Sequence, residues 1–261
     1  PENVVISCGA KHSLYNLMQV LCQTGDEVLI PAPYWVSYPE MAYLAGGKPV
    51  FILASQAEGF RLAPERLKAA VTPNSKLLIL NSPSNPTGGI LEEKDLRAIG
   101  EIVLENNLIV ISDEIYEYYL YNHFKHVSIA SLSEELKKRT FVVNGTSKSY
   151  SMTGLRIGYL AGDAEVVKKI GVLQDHSTSN PASISQKMAV TALALPKSYR
   201  QDVQTIFEKR SRLIVELLSK VKGFKPFVPQ GAFYVFCDIA LTDLDSEALC
   251  EKLLEEIYVA V

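Results

Sequence analysis

The stretch LIVISDEIYE, Leu108 to Glu117, opens with an apolar run in which no position alternates to polar. A half-exposed strand alternates, whereas a continuously apolar run of this length reads as a strand covered on both faces. The acidic pair Asp113-Glu114 follows at once, and carboxylates next to a buried strand are costly unless something faces them. Two readings stand here. Either residue caps a following helix, or Asp113 meets a buried cation while Tyr116, three residues on, presents its phenol to the same space.

The same pattern recurs along the chain. Val4 to Ser7, Glu27 to Pro31, Pro49 to Leu53, Lys76 to Leu80, Leu108 to Ser112, Thr140 to Asn144 and Ile157 to Ala161 read as strands. Helical stretches fit between them at Lys11 to Gln23, Trp35 to Ala45, Ala63 to Ala70, Glu92 to Asn106 and Ala164 to Gln174, with Gly, Asn and Pro at the joins. Buried strands alternating with helices predict an α/β fold, a mostly parallel seven-stranded sheet sandwiched by helices. Ser183 to Val221 reads as helical with a break at Pro196. Phe224 to Val228 and Ala232 to Cys237 read as strands, and Ser246 to Glu256 as a helix. The expected organisation is a large domain over 1–195, a connecting helix over 196–222 and the start of a smaller α/β domain over 223–261. The chain opens on Pro1 and closes on the strand-like run Tyr258 to Val261, so a piece of a longer protein is expected.

Composition narrows the function. The chain has 261 residues, 48% of them hydrophobic, and a net charge of −3, enough for a large globular core and without the basic stripe that nucleic acid requires. No apolar run approaches the roughly 20 residues of a membrane helix. Cys8, Cys22, Cys237 and Cys250 are scattered without metal-ligand spacing; they read as buried thiols of a cytoplasmic protein, with no metal expected.

In open α/β sheets ligands gather at the carboxyl ends of the strands, and polar residues fall there repeatedly. Val4 to Ser7 runs into Cys8-Gly9-Ala10-Lys11, small residues at a helix start where free N–H groups favour an anion, although a plain cap reads equally well. Lys76 to Leu80 ends in NSPSNPTGG, a rigid loop that offers the Asn85 amide. Thr140 to Asn144 ends in GTSKSYSMTGLRIG, where Lys148 stands with Thr146, Ser147 and Arg156. Hydroxyls and a guanidinium suit a phosphate monoester. An amine beside a phosphate site, a carboxylate, a phenol and an amide is the set that pyridoxal phosphate needs.

With these motifs in order, joined by PYWVSYPEM (Pro33 to Met41), the sequence resembles the class I/II aminotransferases of pyridoxal-phosphate fold type I, of the aspartate aminotransferase kind, over essentially its whole length. The resemblance implies that Lys148 forms the Schiff base, that Asp113 pairs with the pyridine nitrogen, and that Asn85 and Tyr116 bond the phenolic oxygen. It implies that Ser147, Arg156 and the backbone around Gly9, Ala10 and Lys11 hold the phosphate, and that Trp35 stacks on the ring. Trp35 and Asn85 are also the expected substrate contacts, and Lys148, Asp113 and Tyr116 the catalytic residues. Gly145 stands where relatives often carry a serine, implying one phosphate donor fewer.

The implied reaction is a ping-pong transfer of an amino group between an amino acid, aspartate or glutamate first, and a 2-oxo acid. A C–S lyase, an aminocyclopropane-carboxylate synthase, a prephenate, aromatic or alanine-type aminotransferase, and the ligand-sensing domain of a transcription regulator share the pocket. Relatives are homodimers that carry an N-terminal gating segment and a carboxylate-binding arginine beyond the position of Val261. This polypeptide alone is therefore expected to bind cofactor at best.

Overall fold

A computed structural model describes residues 1–261. Seven strands form one sheet: β1 (Val4–Ser7), β2 (Glu27–Ala32), β3 (Lys48–Leu53), β4 (Ser75–Asn81), β5 (Ile109–Asp113), β6 (Thr140–Gly145) and β7 (Gly158–Ala161), in the spatial order β1-β7-β6-β5-β4-β2-β3. The pairs β2·β3, β2·β4, β4·β5 and β5·β6 are parallel, and β7 runs antiparallel to both β1 and β6. This is the mostly parallel sheet that the continuous apolar runs imply.

Those runs are apolar because alternate residues enter two different cores. Leu77 and Ile79 of β4 pack in a cluster with Leu14, Leu17 and Met18 of α1 (Ala10–Leu21), Met41 of α2 (Ser37–Leu44), and Ile170 of α6 (Ala164–Asp175). Leu78 and Leu80 point the other way, to Leu67 of α3 (Pro64–Ala70), Leu96, Ile99 and Val103 of α4 (Glu93–Glu105), and Leu136 of α5 (Glu134–Arg139). Gly100 of α4 lets α5 approach, since a Cβ there would lie 2.7 Å from Leu136 Cδ1.

The carboxyl ends of β1, β2, β4, β5 and β6 share one edge of the sheet. Because β7 is antiparallel, its amino end joins them, with Gly158 opposite both Ser7 and Gly145. Arg156 is thereby delivered to that edge from the opposite direction.

Several local readings are corrected. The helix expected from Trp35 starts at Ser37, so Trp35 lies in the preceding loop. The α5 segment EELKKR is a helix without an apolar period in its sequence, since only Leu136 is buried in it. Beyond α7 (Ser183–Leu193) and α8 (Lys197–Leu218), the two strands expected over 224–237 shrink to β8 (Lys225–Pro226) and β9 (Cys237–Asp238). The chain between them packs on the loops of the large sheet instead. Gln230 and Gly231 donate to the Gly88 carbonyl at 2.8 and 2.9 Å, Tyr121 N donates to Gln230 O, and Ala232 N donates to Tyr119 O. Tyr258 to Val261, read as strand-like, follow α9 (Ser246–Ile257) without regular structure. Of the four thiols only Cys22 is buried. No helix is long and apolar enough to cross a membrane.

Candidate active site

The edge at the strand ends holds a cleft of about 300 Å³ lined by Ala10, Lys11, Trp35, Asn85, Asp113, Tyr116, Ser147, Lys148 and Arg156, with Tyr38, Asn81, Thr153 and Tyr234 among its other walls. The residues singled out from the sequence as site candidates border this cleft, with two exceptions, Gly9 and Thr146. That glycine sits behind it at φ 89°, and a Cβ there would lie 2.9 Å from Cζ of Arg156. Its bare backbone makes room for the guanidinium. Thr146, grouped with Ser147 as a phosphate hydroxyl, is fully buried and does not line the cleft.

Asp113 ends β5 and is 3% exposed. Its Oδ1 accepts from the Ile115 amide at 3.2 Å, and its Oδ2 accepts from the Tyr38 hydroxyl at 2.8 Å. Burial raises the carboxyl pKa to about 6, opposed by those two hydrogen bonds and by the Lys148 charge. Asn81, at the end of the neighbouring β4, ties two loops together. It donates to the Asp113 carbonyl at 3.0 Å and accepts from the Asn85 amide at 2.8 Å.

Lys148 follows β6. Its Nζ lies 5.9 Å from the Tyr116 ring centroid and 5.4 Å from that of Phe233, while its carbonyl accepts from the Tyr119 hydroxyl at 2.7 Å. Burial lowers its pKa from the usual lysine value, the Arg156 cation lowers it further, and Asp113 opposes both. An amine held in this way is nearer to being a base at neutral pH. Tyr116 and Tyr234 share a 2.6 Å hydrogen bond between their hydroxyls, and burial raises the Tyr116 phenol far above its ordinary value.

At the far side α1 starts at Ala10, with Gly9 at its N-cap and no side chain capping it. Ala10 and Lys11 line the cleft, and the free N–H groups and positive dipole end of a helix start favour an anion there. Gly158 permits this approach, for a Cβ there would lie 2.7 Å from Ala10 Cα. Gly145 has a similar cause: a Cβ would lie 2.7 Å from the Ile157 carbonyl oxygen, so a serine would push β7 away. Lys11 reaches back over Trp35, its Nζ 4.7 Å from the ring centroid.

A family profile described as aminotransferase class I and II matches residues 1–261. The chain belongs to that family. It is 50% identical over 236 residues to an aspartate aminotransferase of Geobacillus stearothermophilus, covering 90% of this chain and 60% of that protein. It is 42% identical over 272 residues to an aspartate/prephenate aminotransferase of Cereibacter sphaeroides, covering 100% of this chain and 68% of that one. The crystal structure of an aspartate aminotransferase from Rhizobium meliloti superposes with a TM-score of 0.95 at 39% identity, covering 100% of this chain and 68% of that chain. The chain thus spans about two thirds or less of the length of these aminotransferases.

Three site residues escaped the sequence reading. Tyr38 lies within PYWVSYPEM, where the sequence alone assigns it no role. Asn81 stood in a quoted motif without a role. Tyr234, 118 residues from its partner Tyr116, gave no local signal.

Proposed function

We propose that this chain forms the cofactor-binding part of a pyridoxal-phosphate-dependent aminotransferase that moves an amino group between aspartate or glutamate and a 2-oxo acid. The observation that carries the reading is one cleft in which the Lys148 amine, its pKa lowered, stands with a buried carboxylate at Asp113 and an arginine beside an uncapped helix start. The donor set fits the cofactor at both ends. Ser147 Oγ, Arg156 and the first N–H groups of α1 would hold a phosphate, Asp113 would face a ring nitrogen, and Asn85 and Tyr116 an oxygen substituent.

When bound, pyridoxal phosphate supplies the electron sink that makes the amino acid's Cα–H acidic. This chain's residues supply the rest. Lys148 Nζ removes the proton from Cα, which its lowered pKa favours. Asp113, held by Tyr38 and the Ile115 amide, keeps negative charge at the buried end of the cleft. Trp35 and Tyr38 wall one side with rings 5.4 Å apart in edge contact. The cations Lys11 and Arg156 bias the cleft toward anionic ligands. Two half-reactions sharing one cleft give ping-pong kinetics.

The aspartate aminotransferases among the relatives support the acidic donor. The relative named for prephenate as well supports a second acceptor class, a bulky 2-oxo acid. Uptake of pyridoxal phosphate by this chain, followed by an amino-donor screen on the full-length protein, tests the reading. Uptake that is unchanged in Lys148→Ala would count against it.

A further inference from the structure

Behind Asp113, away from the cleft, lies a second set of charged side chains that the site does not use. Strand alternation turns Ser112 and Glu114 to the opposite side from Asp113. Ser112 Oγ donates to Glu114 Oε1 at 2.9 Å and Ser128 Oγ donates to the same oxygen at 2.5 Å, while His126 Nε2 lies 2.8 Å from Glu114 Oε2. Glu117 completes the group, its Oε1 accepting from Asn144 Nδ2 at 2.8 Å. The ligand atoms of Glu114, Glu117 and His126 lie within 4.8 Å of one another. Hydroxyls, an imidazole and an amide already engage these carboxylates, which is the pattern of a hydrogen-bonded cluster.

The cluster holds charge where apolar residues would pack. Glu114 is 5% exposed. Burial would push its carboxyl up, but the His126, Ser128 and Ser112 contacts outweigh that and leave its pKa lowered, so it is kept ionised. A buried charge held by hydrogen bonds generally contributes no more stability than well-packed apolar side chains of the same volume. What it adds is a fixed register. Glu114 anchors the turn after β5 to the 126–128 segment, and Glu117 anchors it to Asn144, whose strand leads on to Lys148.

We propose that Glu114 and His126, with Ser112, Ser128 and the Glu117–Asn144 bond, form a positioning latch that sets Asp113 and Tyr116 against Lys148. Its catalytic consequence rests on the aminotransferase reading; its structural consequence does not.

Hydrogen exchange on the cofactor-free chain tests it without turnover. The amides of Glu114, Ile115, Glu117 and Tyr119 donate to Val143 O, Asp113 Oδ1, Glu114 O and Tyr116 O. In His126→Leu they are expected to exchange about tenfold faster or more, the loss of one hydrogen bond to a charged group, while Leu78 and Ile79 of β4 keep their wild-type rates. In the full-length protein with cofactor bound, kcat should fall about tenfold to a hundredfold, as misplacement of reacting groups does, with KM for the amino donor little changed. His126→Gln, which retains a side-chain N–H, should recover most of the rate. Ser128→Ala, which removes a single donor, gives the same exchange readout if His126→Leu is insoluble. Wild-type exchange in the turn of the soluble variants would overturn the latch. Failure of the wild-type chain to take up pyridoxal phosphate would instead sink the functional reading and leave the exchange result to decide this one.

Discussion

The Tyr38 hydroxyl donates to Asp113 Oδ2 at 2.8 Å, joining the first turn of α2 to the end of β5 across 75 residues of sequence. Both groups are buried, so the bond fixes the one carboxylate that faces the inner end of the cleft.

Tyr38→Phe removes that donor and keeps the ring. A hydrogen bond to a charged group contributes about 1.5–3 kcal/mol, so the turnover rate of the full-length protein should fall about tenfold to a hundredfold, with Asp113 harder to ionise. A pH–rate profile is the check, and its acid limb should move upward from the wild-type position. An unmoved limb would deny Tyr38 this role.

Asp113 also makes a stability prediction. Its carboxyl is raised from 3.8 to about 6 in the folded cofactor-free chain, so between those values the folded state binds more protons than the unfolded one. This group's contribution is therefore full below about pH 3.8 and lost as pH rises through about 6, a change of about 3 kcal/mol. Asp113→Asn should be more stable than wild type to urea at pH 7, the gap closing toward pH 4, and should lose most turnover. Equal stability at pH 7 would contradict the buried-charge account.

The anion end depends on close approach. Arg156→Lys keeps the charge and loses the planar fork, and Gly9→Ala places a methyl against the guanidinium at a backbone angle unfavourable to alanine. Both should weaken pyridoxal phosphate binding about tenfold or more, in line with the loss of a charge-assisted hydrogen bond. Equilibrium titration of each variant checks this, with the melting temperature measured alongside to separate binding from folding.

Much of the fold was legible because it is written locally. Leu77 to Leu80 and Ile109 to Ile111 are apolar on successive residues because they feed two cores, and that pattern needs no knowledge of neighbours. Lys148, Asp113 and Asn85 could be grouped because each follows such a strand. What escaped depends on strand order and direction. Tyr38 reaches Asp113 only because β2, β4 and β5 are successive neighbours in the sheet. Arg156 reaches the same edge only because β7 is reversed. Residues 226–236 carry apolar and aromatic residues suited to a strand, yet Pro229 and Gly231 fit against Gly88 and Pro83, a contact between distant segments that no local period encodes.

The central claim is that Lys148 is the amine that joins the cofactor. Adding pyridoxal phosphate to the purified chain, reducing with borohydride and mapping the peptides by mass spectrometry tests it directly. The account predicts a single stoichiometric label on Lys148 that is absent from Lys148→Ala. Labelling spread over other lysines, or an equal label in the variant, would contradict it.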